Sequence, residues 1–227
     1  MLRGLFQLWG LPERVRLDNG SPWGSSADLP PALALWLVGL GIGLVYNPAR
    51  TPQNNGVVER FHGLVEPWGE PDKCPNLAAW QERLDWIVRV QRERYPAVGN
   101  RTRLEAFPGL LVVARPYDGE HEAEQWRLER VKDYLAHGVW RRKVDKVGRI
   151  SIYNRPLGVG RAYKRQDVLV TFDAQTNEWV IHDSHSEEIT RQPAGGITAT
   201  AITNLEVSHR KATKHAPTSD KTMCQTT

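Results

Sequence analysis

The sequence predicts an α/β unit over roughly residues 1–100 and a small all-β unit over 139–195. Three observations carry this. In the first stretch apolar residues recur at helical spacing, with short strand-like runs between them. From residue 139 the pattern changes to short alternating segments joined by turns. With 40% hydrophobic residues and nine Trp, a 227-residue chain has the apolar surface for one or two cores.

Leu2–Trp9 reads as a helix that Gly10 and Pro12 end. Residues 15–17 read as a short strand ending at Asp18, and Asn19-Gly20 is a turn signal. A loop through Ser25-Ser26 leads to a helix over about 28–38 and then a strand, Gly43–Tyr46. The eighteen residues 29–46 carry no charge, which is near the lower limit for a membrane span of about 17–25 residues. Pro30-Pro31 and glycines at 39, 41 and 43 interrupt that run. It is read as a helix, a glycine break and a buried strand, and no membrane association is expected.

Thr51 is a good N-cap and Pro52 suits the first helical position. Val57, Val58, Phe61, Leu64 and Val65 then make one apolar face, and Glu59 lies off it with Asn55, His62 and Glu66. Pro75 or Asn76 starts a further helix, with Leu77, Trp80, Leu84, Ile87, Val88, Val90 and Gln91 as its core-facing stripe. Thr102 opens a short helix to Ala106 that Pro108 breaks. Residues 120–137 are charged with mixed signs and read as one helix, its face being Trp126, Leu128, Val131, Tyr134 and Leu135. Strands are expected over 148–153, 167–172, 178–182 and 187–191, closing as a small barrel. Residues 196–227 are expected to be a disordered tail.

The net charge is +4 and the pI about 9.2, which favours an anionic partner only mildly. Locally the bias is strong. Over 141–165 stand Arg141, Arg142, Lys143, Lys146, Arg149, Arg155, Arg161, Lys164 and Arg165, against Asp145 alone. Such a run neutralises phosphates and releases counterions. The interleaved Trp140, Tyr153 and Tyr163 could stack on bases, but barrel core is the commoner role of such residues. The two cysteines, Cys74 and Cys224, have neither metal-ligand spacing nor a disulfide framework, so a reducing cytoplasmic setting is expected. His62, His182 and His185 have no partners at ligand spacing.

Asp18 and Glu59 form the other candidate site. One sits at a strand end and the other near a helix start, so they could meet at an open surface. Paired carboxylates repel unless a cation lies between them, and hard oxygen ligands suit Mg²⁺ or Mn²⁺. Taken alone, the two acids read as an ordinary turn residue and a solvated helix residue.

Their surroundings alter that. Leu-Asp18-Asn-Gly-Ser-Pro-Trp, followed by Pro52-Gln-Asn-Asn-Gly-Val-Val-Glu59-Arg-Phe-His, resembles the integrase core of bacterial insertion-sequence transposases and retroviral-type integrases. The resemblance implies a partial ribonuclease H-like core, with Asp18 and Glu59 as catalytic and metal-binding acids of an Asp, Asp, Glu triad. It implies two divalent ions, Mg²⁺ or Mn²⁺, and DNA strand transfer by attack of a 3′-hydroxyl on a phosphodiester. DNA is the implied partner, together with full-length transposase or a second copy of the chain.

Residues 139–195 more loosely resemble the SH3-like C-terminal domain of related transposases. Arg141, Arg142, Lys143, Arg149, Arg161, Lys164 and Arg165 are its expected DNA-binding residues. Residues 101–138 would be a helical linker. The departure is the first Asp of the triad. The residues before Asp18 contain no Asp, and Glu13 is their only acid. The chain is therefore expected to be an N-terminally truncated form, inactive alone. The alternative is a non-catalytic DNA-binding remnant or regulator of transposition.

Overall fold

The computed structural model describes residues 2–24, 28–48 and 56–205, apart from the side chains of Val57, Val58 and Leu64. The loop at Ser25-Ser26, the helix start at Thr51-Pro52, Asn55 and the tail from 206 onward lie outside the described residues.

Helix α1 (Leu2–Trp9) buries Phe6 alone among its side chains. Strands β1 (Arg14–Leu17) and β2 (Gly43–Tyr46) pair in parallel, from Arg14 opposite Gly43 to Leu17 opposite Tyr46. A parallel pair needs a crossover, and α2 (Ala32–Gly39) supplies it. This helix is apolar all round, Ala-Leu-Ala-Leu-Trp-Leu-Val-Gly, and a helix of that kind belongs in the interior. Ala34 through Gly39 are all buried. Gly39 is needed for the closeness of that packing, because a Cβ there would lie 2.0 Å from the Trp126 indole nitrogen.

Helices α3 (Gly56–Gly69) and α4 (Leu77–Glu93) pack on each other, and the short α5 (Arg103–Ala106) packs on α4. Asn76 caps α4 by accepting from the Ala79 amide at 2.9 Å, and Thr102 with Glu105 forms a capping box on α5. Arg103 donates to the carbonyl and side chain of Gln91 at 2.6 and 3.1 Å. Only part of the expected α4 stripe is covered. Ile87 and Gln91 are buried, whereas Leu77 is 80% exposed and Val88 is open as well. The period was right; the partner surface is narrower than the stripe.

The rest of the chain builds one core with α1 and α2. Helices α6 (Glu122–Gln125) and α7 (Leu128–Ala136) replace the single helix expected over 120–137. The break falls at Trp126, which is extended because its indole N–H donates to the Trp36 carbonyl at 3.1 Å. Strands β3 (Trp140–Lys143), β4 (Arg149–Ile152), β5 (Arg155–Gly158), β6 (Asp167–Asp173), β7 (Glu178–His182) and β8 (Glu188–Pro193) follow. Strands β3, β6, β7 and β8 form an antiparallel sheet in that order, while β4 and β5 make a separate hairpin. The expected closed barrel is thus corrected to an open sheet plus a hairpin among the described residues.

The tail expectation also changes at its start. Ile197 and Ile202 are buried, and α8 (Ala199–Thr203) packs on α2. A single cluster of buried side chains runs from Phe6, Trp36 and Leu40 through Val131 and Leu135 to Trp140, Val170, Ile181 and Ile202. The chain is an α/β protein whose first βαβ turn and last sheet share that cluster. Among the described residues, no helix is long and apolar enough to cross a membrane.

One polar group lies inside this apolar mass. Glu122 is 9% exposed. Arg3 grips both its oxygens at 2.8 Å, Trp36 donates its indole N–H at 3.0 Å, and the Tyr117 hydroxyl donates as well. Burial pushes the carboxyl up. The hydrogen bonds from Arg3, Tyr117 and Trp36, with the Arg3 charge, outweigh it and hold the group at about 2, below the ordinary 4.5.

A lowered carboxylate contributes stability that is full above its unfolded value and is lost as the pH falls toward the folded one. The Arg3 side chain is 45% exposed, which screens the pair, so the contribution is set at about 2 kcal/mol. We therefore predict that Glu122→Gln lowers stability by about 2 kcal/mol at pH 7, with the gap to the native chain narrowing below pH 4.5. Urea unfolding at pH 7 and pH 3 measures both. An equal gap at the two pH values would rule out the charge as its source.

Candidate nucleic-acid interface

The Asp18 end is built from backbone first. Parallel strands end together here, and in open α/β sheets ligands bind outside the carboxyl ends of strands. Leu17 is buried and Asp18, next along, is exposed. The residues after it are used to hold a tight loop. The Asn19 side chain donates to the Asn47 carbonyl at 2.7 Å, just beyond β2. Gly20 and Gly24 exchange two backbone hydrogen bonds at 2.7 Å. Tyr46, the last residue of β2, donates its hydroxyl to the Trp23 carbonyl at 2.8 Å, and burial pushes that phenol up to about 12. Among the described residues the exposed Asp18 carboxylate accepts from the Asn19 amide alone, at 2.8 Å.

Glu59 stands in the first turn of α3, exposed and in no ion pair among the described residues. It connects to the Asp18 end only through 49–55, outside the described residues. No group of three or more His, Cys, Asp or Glu that could hold a metal occurs among the described residues. Two hard carboxylates are the right donor type for Mg²⁺ or Mn²⁺. Their number does not make the two-ion centre that phosphoryl transfer uses, and no chemical step is derived through such a centre.

The basic segment divides into paired and unpaired members. Arg141 lies 3.7 Å from Asp167, and Arg142 lies 2.6 Å from Asp28. On the outward face of the sheet Arg191 is held by Asp173 at 2.8 Å, Glu188 at 3.0 Å and Glu178 at 3.8 Å. There one guanidinium is surrounded by three carboxylates, so Arg191 offers no free positive charge. Lys143, Lys146, Arg149, Arg155, Arg161, Lys164 and Arg165 are different: all are exposed, and none is in an ion pair among the described residues.

Local folding gathers most of these at one end. Asp145 turns the chain between β3 and β4 by accepting from the Val147 and Arg149 amides at 2.8 and 2.9 Å. Gly148 then receives the Val159 and Gly160 amides on its carbonyl, at 2.9 and 3.0 Å. Val144 and Arg165 extend the ladder beside it. The turn bearing Lys146 and Arg149 therefore lies against the loop bearing Arg161, Lys164 and Arg165. The aromatics between these residues do not form a stacking platform. Trp140 is buried, and Tyr153 and Tyr163 pack against the core.

An open cleft of about 690 Å³ lies between the loop after Asp18 and the β4–β5 hairpin. One wall is the Asp18 loop, with Gly20, Ser21, Pro22 and Gly24, and the other is Arg142, Ser151, Tyr153 and Asn154. Tyr153 and Asn154 are the two central residues of the β4–β5 hairpin, with φ of 48° and 62°. That is the hairpin turn in which glycine and asparagine are at home; tyrosine there costs on the order of 1–2 kcal/mol. Its hydroxyl donates to the Pro30 carbonyl at 2.8 Å, and its ring lies 6.1 Å from that of Trp179. The turn is thus tethered across the cleft. Sequence reasoning singled out Arg142 as a DNA ligand and missed its partner, because Asp28 is 114 residues away. Compared with models of known protein families, the chain matches none.

The basic end depends on Gly148. Its φ is +88°, and a Cβ would come within 2.7–2.8 Å of the Gly160–Arg161 backbone. We predict that Gly148→Ala lowers stability by about 2 kcal/mol. Gly158→Ala, with open space around it, serves as the control and should change little. Chemical denaturation of both variants checks this; equal losses would remove the close approach as the cause.

Proposed function

We propose that this chain holds duplex DNA, as part of the apparatus of an integrase-type insertion-sequence transposase. In this reading the βαβ turn with its helices corresponds to part of a ribonuclease H-like core, and the sheet with its hairpin to an SH3-like unit. The observation that carries the DNA-binding part is the set of exposed, unpaired Lys and Arg at the β3–β4 turn and the loop before β6. Unpaired cations are the ones that gain by meeting phosphates, because no internal carboxylate has to be released first. The transposase part rests on the paired motifs around Asp18 and Glu59. Its support is that Asp18 stands exposed at the carboxyl end of a parallel strand, where ligands of open α/β sheets bind.

The resemblance maps two acids, Asp18 and Glu59, onto this chain, and a role in holding DNA is proposed for it rather than catalysis. Full-length transposase or a second copy of the chain is then the natural partner on the same DNA.

Two outcomes are expected. The purified chain binds labelled duplexes of unrelated sequence with similar affinity, and the affinity falls steeply with salt. Replacing Arg149, Arg161 and Lys164 with Ala weakens binding on every sequence and flattens the log–log salt slope by up to about three units. Asp18→Asn and Glu59→Gln leave that slope nearly unchanged. Fluorescence anisotropy at several salt concentrations measures this, and binding indifferent to salt and to the triple substitution would refute the reading. In Mg²⁺ or Mn²⁺ the chain alone joins no DNA; strand-transfer product that disappears in Asp18→Asn would show it to be a complete catalyst.

A further inference from the structure

The cleft between the Asp18 loop and the β4–β5 hairpin contains a charge pair that binding would have to open. Its ionisable lining is Asp28, Arg142 and Tyr153, and the Tyr153 hydroxyl is already given to the Pro30 carbonyl. Asp28 holds Arg142 at 2.6 Å, so the cleft is locally neutral in the free chain. The two partners are not equally placed. The Arg142 side chain is 22% exposed and fixed on β3, whereas Asp28 is 65% exposed. The carboxylate is therefore the member that can turn away into water, leaving the guanidinium facing the cleft.

Around it stand side chains suited to a phosphodiester. Ser151 offers a hydroxyl and Asn154 an amide, both exposed on the cleft wall, and neither spends that side chain on an internal hydrogen bond among the described residues. A guanidinium matches two phosphate oxygens with a planar pair of N–H donors. The cleft is lined on one side by the loop that follows Asp18, from Gly20, and on the other by Ser151, two positions along β4 from the unpaired Arg149.

We propose that this cleft takes one phosphodiester of bound duplex DNA, with Arg142, Ser151 and Asn154 as its donors. Asp28 acts as an internal competitor that occupies Arg142 until the phosphate displaces it. This deepens the DNA-holding reading and rests on it. In consequence Asp28 sets a ceiling on affinity. The competition makes the cleft selective for a ligand that already sits on the basic end, since a free anion gains only one exchange of partners.

Asp28→Asn tests the competitor role. It keeps an acceptor for the Leu29 amide, now 2.7 Å from the Asp28 carboxylate, and removes only the charge. With the full chain and a fluorescein-labelled duplex, we expect about three- to tenfold tighter binding at low salt, and a log–log slope steeper by about one unit. Arg142→Ala should abolish that gain when combined with Asp28→Asn. Ser151→Glu puts a negative charge on the cleft wall without touching the pair, and should weaken binding about tenfold or more. Circular dichroism and urea unfolding of each variant show that the fold persists.

If the chain binds DNA in a salt-dependent way but Asp28→Asn and Ser151→Glu leave affinity and slope unchanged, the cleft proposal is wrong and the holding function stands. In that case the Asp28–Arg142 pair is only a tie between the two walls. If the unaltered chain binds no duplex at low salt, both fall.

Discussion

A single buried carboxylate holds the two ends of the described residues together. Glu122 receives Arg3 from α1, Trp36 from α2 and Tyr117 from the segment before α6, and Arg3 also reaches the Thr203 carbonyl in α8 at 3.3 Å. Removing any one donor would leave charge or hydrogen-bonding capacity unmet in an apolar setting, which costs more than the net value of the bond itself. The arrangement also fixes geometry. Trp36 gives its N–H to Glu122 and its carbonyl to Trp126, so α2 can sit in only one rotation about its axis. A helix with apolar residues on every side lacks a polar stripe to choose its face, and here these hydrogen bonds act with the close approach of Gly39 to Trp126.

From that fixed α2 the position of the cleft follows. Helix α2 connects β1 to β2 and thereby places the Asp18 loop, while α7 and α8 pack on it and carry the sheet. The cleft walls therefore belong to one body rather than to two modules on a flexible link. Arg142 to Asp28 and Tyr153 to Pro30 then bridge the walls directly. By contrast, no described side chain of α3, α4 or α5 belongs to the main cluster of buried side chains. Among the described residues, α4 reaches the rest through Arg92 over the Trp9 ring at 4.2 Å, and beyond α5 Arg115 donates to the carbonyls of Pro12, Leu40 and Gly41 at 2.9–3.1 Å.

What could be read from the residues was what is decided locally. The bounds of α1 and β2 match the apolar periodicity, and β6 and β7 match the alternation on either side of a turn. Strand β5 was not legible, because Arg155-Pro156-Leu157-Gly158 carries proline and glycine. It exists as an edge paired only with β4, where a missing amide is tolerated. Glu122 gave no signal either. It sits in a run of mixed charges, and its partners are residues 3, 36 and 117. The same limit applied at the candidate site. The basic run was plain in the sequence, but which of its members are free depends on Asp28 and Asp167, and only the fold brings those acids to Arg142 and Arg141.

That sorting changes what a charge count means here. Counted along the chain, 141–165 is basic but for Asp145; in space the two paired arginines lie on β3, while the unpaired Lys146, Arg161, Lys164 and Arg165 lie at the turn and loop beyond it. A polyanion would meet the unpaired set first, through long-range attraction that needs no rearrangement. Only after docking there would a phosphate be near enough to compete with Asp28 at Arg142. The two steps differ in kind. The first is screened by salt and indifferent to sequence. The second depends on the width of a fixed cleft and on the exchange of one carboxylate for one phosphate. In the proposed binding, the same guanidinium stabilises the free chain and takes part in the bound one, because its partner on the solvent side is the replaceable one.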